Sequence, residues 1–154
     1  MGFSDIFIRF LFHLYDKKVR YLLVGGYAVV HYGYPRYTGD MDIWLEPTLE
    51  NGEKVLLALK ASEYNTADIK AEDFTTQNFF RVGVPPDRID LITETPALIF
   101  KKAYPKRQTI KHKGVPITVI ELEDLIATKE ALGRLQDKLD VEKLRGRMLP
   151  RQDT

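Results

Sequence analysis

The run Tyr21-Leu22-Leu23-Val24-Gly25-Gly26, followed by Asp40-Met41-Asp42-Ile43, constrains this chain more than any other part of it. A short apolar tract bounded by glycine reads as a buried strand. The glycine pair turns the chain, and Tyr27 to Tyr32 reads as a short helix stopped by Gly33 and Pro35. A second strand, Met41 to Leu45, begins among aspartates that flank one apolar residue. Strand positions i and i+2 share a face, so Asp40 and Asp42 point the same way. Neighbouring carboxylates shift each other's pKa unless something positive lies between them. A hard divalent cation such as Mg2+ takes oxygen ligands and keeps positions open for phosphate. Glycine lets backbone approach a ligand closely, and a helix N-terminus offers N–H groups to an anion. A phosphate cradle beside a metal platform suits chemistry on a nucleoside triphosphate.

The rest of the chain alternates helical and strand patterns. Phe3, Ile6, Phe7, Phe10, Leu11 and Leu14 recur at helical spacing behind Ser4, predicting a first helix to about Lys17. Thr48 caps a helix holding Val55, Leu56, Leu57 and Leu59. Tyr64 to Thr76 reads as loop with some helix. Phe79 to Val84 and Arg88 to Ile92 form a hairpin about Pro85-Pro86-Asp87. Pro96 to Lys102 holds a helical turn. Gln108 to Ile120 forms a second hairpin, turning at Lys113-Gly114. Helices follow at Glu121 to Leu132 and about Leu135 to Arg145, and a polar tail from Arg147 is expected to fray.

Asp90, between Ile89 and Leu91, is the third candidate carboxylate. An ionised Asp in an apolar strand is costly to bury unpaired. A cation offsets that cost if its strand lies beside the one carrying Asp42. Two cations would then bridge Asp40, Asp42 and Asp90 to a triphosphate, with Asp90 also within reach to take a hydroxyl proton. Arg36 either grips a phosphate bidentately or buttresses the carboxylates. Thr38 either donates its hydroxyl to phosphate or fixes the loop. The plainer alternatives are solvent-facing aspartates, an Asp90 paired with Arg88 or Arg81, and glycines that only tighten a connection. Trp44 should pack against a helix. The cluster Tyr27, Tyr32, Tyr34 and Tyr37 offers one ring for a base and otherwise packing.

Taken together, Leu23-Val24-Gly25-Gly26-Tyr27-Ala28-Val29 and Arg36-Tyr37-Thr38-Gly39-Asp40-Met41-Asp42-Ile43 resemble the nucleotidyltransferase superfamily that includes polymerase beta. The arginine and threonine ahead of the aspartates look most like the AbiE-type toxin nucleotidyltransferases and their bacterial relatives. Glu123 to Lys129, continuing to Arg134, Asp137 and Asp140, looks like that branch's C-terminal helical motif. The resemblance implies that Lys129 and Arg134 contact the triphosphate together with Gly25, Gly26, Arg36 and Thr38, and that Asp137 positions them. Asp140 is expected at the surface. Gly26 stands where the wider superfamily has serine, which removes one hydroxyl contact to phosphate.

The implied fold is α/β in one domain over residues 1–154: a mixed twisted sheet, helices on one face, and the site on the open face. The implied reaction moves a nucleoside monophosphate from an NTP to a hydroxyl of RNA, protein or a small molecule, and releases pyrophosphate. The cofactor is Mg2+, as two ions, with Mn2+ as a substitute. A nucleotide- or partner-binding module of the same fold, within a toxin–antitoxin system, is the alternative, and a homodimer or partner subunit would complete the short C-terminus.

Bulk properties narrow the setting. A net charge of +1 supplies no field for nucleic acid, so such contact would need a local patch such as the run from Lys101 to Lys113. There is no cysteine, hence no disulfide or thiolate metal site. The N-terminal segment carries Asp5, Arg9, His13 and Asp16 among its apolar residues and is no signal peptide. No apolar run is long enough to span a membrane, and a cytoplasmic setting is expected.

Overall fold

The computed structural model of the chain describes residues 2–148. Helix α1 (Asp5–Asp16) starts at Ser4, whose hydroxyl accepts from the Phe7 N–H at 3.2 Å. Phe7, Phe10, Leu11 and Leu14 make its buried stripe. Then come β1 (Tyr21–Val24), α2 (Gly25–His31), β2 (Met41–Leu45), α3 (Leu49–Ala61), β3 (Phe79–Val82), β4 (Ile89–Ile92), α4 (Phe100–Ala103), β5 (Gln108–His112), β6 (Val115–Val119), α5 (Leu122–Leu132) and α6 (Leu135–Met148). Short 3-10 turns occupy Ala71–Phe74 and Tyr104–Lys106.

The strands form one six-stranded mixed sheet in the order β3-β4-β2-β1-β6-β5. Strands β2 and β4 are parallel, as are β1 and β6, and the other pairs are antiparallel. Alternation splits β2 and β4 into two faces. Met41, Ile43, Leu45, Ile89 and Leu91 are fully buried on the face covered by α1 and α3, which pack on each other. Asp42, Trp44, Asp90 and Ile92 look the other way. There Trp44 packs edge-on against Phe100 of α4, with ring centroids 5.2 Å apart, as expected of it.

The departures from expectation are local. The glycines are the first turn of α2 rather than a connection ahead of it. Strand β3 stops at Val82, because Gly83 at φ +78° and the Pro85-Pro86 pair end the ladder. Helix α6 continues through Met148, and the rest of the tail expected to fray lies outside the described residues. Among the described residues, no helix is long and apolar enough to cross a membrane.

Candidate active site

The parallel register of β2 and β4 sets Asp42 beside Asp90. Asp40 lies one residue before β2. All three line a cleft of about 610 Å3, together with Gly26, Arg36, Thr38, Lys129 and Arg134. Eight of the nine residues read from the sequence as site residues therefore share one concavity, and Gly25 stands behind it. Helices α5 and α6 close one side, through Lys129, Leu132, Arg134, Gln136 and Asp137.

The carboxylates are not equivalent. Asp40 Oδ2 accepts from Arg88 Nη2 at 2.7 Å, and Asp90 Oδ1 accepts from Arg81 Nε at 3.2 Å. The pairing of Asp90 with Arg81, one of the plainer readings, thus occurs alongside its place in the cleft. Among the described residues, no arginine pairs with Asp42. Burial, followed by the Asp90 charge, pushes the Asp42 carboxyl up to about 7; Lys129 opposes the shift and Asp40 adds to it. Burial and the Asp40 charge also raise Asp90, against the pull of Arg81 and Arg88.

Among the described residues, no group of three His, Cys, Asp or Glu side chains stands arranged to hold a metal ion. The reason is local: Asp40 is drawn to Arg88, and Asp90 is shared with Arg81. The donor chemistry still fits a hard divalent cation. Two carboxylates in register, one of them raised toward neutrality by burial and by its neighbour's charge, supply the oxygen ligands that Mg2+ takes.

A stability prediction follows from Asp42. An acid whose folded pKa exceeds its unfolded value binds its proton more tightly in the folded state. Its contribution is therefore fully present only below the ordinary value of 3.8 and is lost progressively as pH rises to about 7. In chelator, the wild type should lose stability between about pH 4 and pH 7, and Asp42→Asn should flatten that slope. Urea midpoints of both proteins across the range measure it.

The glycines make room for these side chains. Gly25 adopts φ +67°, and a Cβ there would lie 2.1 Å from Asp42 Oδ2. It is needed for the carboxylate to sit where it does, and it does not itself line the cleft. A Cβ on Gly26 would lie 2.2 Å from Thr38 Oγ1 and 3.2 Å from Arg36 Nη2. The hydroxyl lost with serine at position 26 is thus matched in space by the Thr38 hydroxyl. Gly26→Ser should cost about 1–3 kcal/mol through overpacking. Adding Thr38→Ala should restore most of that loss, and a double-mutant cycle in urea tests the coupling.

The α5–α6 wall of the cleft is a charged staple. Lys129 Nζ bonds Asp137 at 3.1 Å and Asp140 at 3.0 Å, with all three side chains nearly or fully buried. Asp137 also accepts from Arg134 Nε at 2.6 Å and Nη2 at 3.2 Å. Burial pushes Asp137 up, but the hydrogen bonds from Arg134 and Lys129 prevail and hold it below the usual carboxylate range. Asp137 thus touches both residues that it was expected to position. Asp140 corrects the surface expectation. It is fully buried and accepts from Arg36 Nε at 2.9 Å, Arg36 Nη2 at 3.0 Å and Gln136 Nε2 at 2.9 Å. Arg36 thus ties the loop ahead of β2 to α6, with its fork taken by a carboxylate rather than open to phosphate.

Arg81, Phe79, Glu94, Thr95 and Pro96 also line the cleft. Arg81 was read from the sequence only as an alternative to Arg88 as partner of Asp90, and the hairpin register sets it opposite that residue; the segment after β4 carries no pattern that marks it. The tyrosine cluster and the basic run do not line the cleft. Tyr27 stacks on Phe3, Lys106 pairs with Asp124, and Lys113 pairs with Asp5.

The chain is similar in structure to a candidate nucleotidyltransferase from Thermotoga maritima, with a TM-score of 0.60 and 16% identity over 90% of this chain and 89% of that one. It is also similar to the lincosamide antibiotic adenylyltransferase LnuA in its lincomycin-bound form, with a TM-score of 0.62 and 17% identity over 93% and 96% of the two chains. No family model and no curated protein matches its sequence. The chain has the nucleotidyltransferase fold, as the resemblance implied: a mixed sheet backed by helices, with an acidic pair on the open face.

Proposed function

We propose that the protein is a metal-dependent nucleotidyltransferase, allied to the AbiE-type branch and working in the cytoplasm. The reading rests on the register pairing of Asp42 with Asp90 in a cleft whose other wall is the basic edge of α5 and α6. An acceptor hydroxyl attacks the α-phosphorus of an NTP. The new oxygen–phosphorus bond forms as the bond to pyrophosphate breaks. Asp42 and Asp90, joined by Asp40 once it parts from Arg88, would hold Mg2+ or Mn2+. Such ions, two in this fold's resemblance, supply Lewis-acid charge on the attacking and leaving oxygens. Asp90, raised above an ordinary aspartate, takes the hydroxyl proton. Arg134 lies largely exposed at the cleft edge and meets the triphosphate. Lys129 adds positive charge from the cleft wall, held there by Asp137 and Asp140. Thr38 offers its hydroxyl to phosphate across Gly26. As in other phosphoryl transfers, positioning and charge neutralisation supply most of the acceleration.

The test incubates the protein with Mg2+, α-labelled NTPs and cell extract. Label transfer by the wild type and none by Asp42→Asn supports the reading, whereas equal labelling by both removes the site. The engagement of Asp40 by Arg88 favours a second reading, a nucleotide-binding module without turnover. Calorimetric NTP binding without pyrophosphate release would identify it.

A further inference from the structure

A second cavity of about 640 Å3 opens beside the acidic cleft along β3 and the segment after β4. The two share Phe79, Ile92, Glu94, Thr95 and Pro96, so they are continuous. Their walls differ in charge. The cleft carries Arg36, Arg81, Lys129 and Arg134, a set suited to a triphosphate. The wall of the second cavity holds one carboxylate, Glu94, and neither lysine nor arginine. The basic run from Lys101 to Lys113 reaches neither cavity.

Two polar groups in this trough stand without a protein partner. Thr95 is only 7% exposed, and its side chain has no hydrogen-bond partner among the described residues. Its hydroxyl is not sealed in the interior but opens toward the cavity. Glu94 is exposed at the junction of the cavities and makes no ion pair among the described residues. Beside them Phe79, 52% exposed, and Pro96 present apolar surface. A cavity of this size with apolar walls and a few convergent polar groups suits a small organic molecule. Arg81, 5.2 Å over the Phe79 ring, bounds the trough on the side of the cleft, and beyond it the lone carboxylate attracts an ammonium.

We infer that this trough is the acceptor site, and that the acceptor is a small hydroxylated amine rather than a nucleic acid. Its ammonium pairs with Glu94 and its ring lies against Phe79 and Pro96. A polar substituent meets the Thr95 hydroxyl, and the reacting hydroxyl points toward Asp90. The inference deepens the nucleotidyltransferase reading and rests on it for the word acceptor, but the binding it requires does not.

The probes are a trisaccharide of glucosamine, its N-acetylated counterpart that lacks the charges, and bulk tRNA. Calorimetry on the full chain reads each of them with and without Mg2+ and a non-hydrolysable ATP analogue. The free amine should bind at least about tenfold tighter than the acetylated sugar, the scale of one charge-assisted hydrogen bond. Glu94→Gln should erase that preference, and the near-isosteric Thr95→Val should weaken binding of both sugars. Thermal midpoints check that each variant is folded. Affinity that is indifferent to Glu94→Gln, no sugar binding at all, or tRNA binding that displaces the sugar would each overturn the inference. Failure of the ATP analogue alone, with Glu94-dependent sugar binding intact, would leave the trough standing and remove the nucleotidyltransferase reading.

Discussion

Asp42→Asn should slow nucleotidyl transfer by about 10^3-fold or more, equivalent to about 4 kcal/mol of transition-state stabilisation. The amide has the shape of the carboxylate but none of its charge. A neutral side chain beside Asp90 leaves a divalent ion with one strong ligand fewer, where such ions supply several kcal/mol. The same variant should be as stable as the wild type or more so above neutral pH, because burial and Asp90 already push the native carboxyl toward its uncharged form. Loss of activity and gain of stability would then come from one atom's change, which separates a functional effect from misfolding. Single-turnover transfer rates and thermal midpoints on the same preparations give both numbers. Transfer within tenfold of the wild type would exclude Asp42 from the reaction.

Asp140→Ala should have the largest effect on stability. It strips the acceptor from Arg36, Lys129 and Gln136 at once, and Lys129 is nearly as buried as Asp140 itself. Removing one partner of a buried ion pair costs about 3–5 kcal/mol, mostly through the charge left behind. Arg36 keeps some contact with solvent, which argues for the lower end, about 3 kcal/mol. At about 2–4 °C per kcal/mol for a chain of this size, the midpoint should fall by about 6–12 °C. Asp140→Asn keeps an acceptor oxygen and should lose less. A fall below about 1 kcal/mol in urea would mean that the staple is superficial.

Local pattern made most of this architecture readable. The apolar tracts of β1 and β2, the Ser4 and Thr48 caps, and the two hairpins were visible because each is set by residues within a few positions of one another. The aspartates were visible because a charge in an apolar strand needs an explanation. What pattern did not reveal was partnership across the chain. Asp140 on a polar helix looks like any solvated residue, and only the meeting of α6 with the loop before β2, 104 positions earlier, buries it against Arg36. Arg36 looked equally suited to a phosphate or a carboxylate, since its fork serves both. Glu94 and Thr95 follow a strand end without any periodic signal and acquire meaning only from the cavities they border.

The in-step alignment of β2 with β4 carries one more consequence. Should β4 slide by a single position against its neighbour, every side chain would exchange faces. Asp90 would then enter the oily layer that Ile89 and Leu91 fill, with neither arginine nor water to receive it. The acid offered for chemistry thus also polices assembly: a mispaired sheet is penalised by the very group that makes the correct one useful.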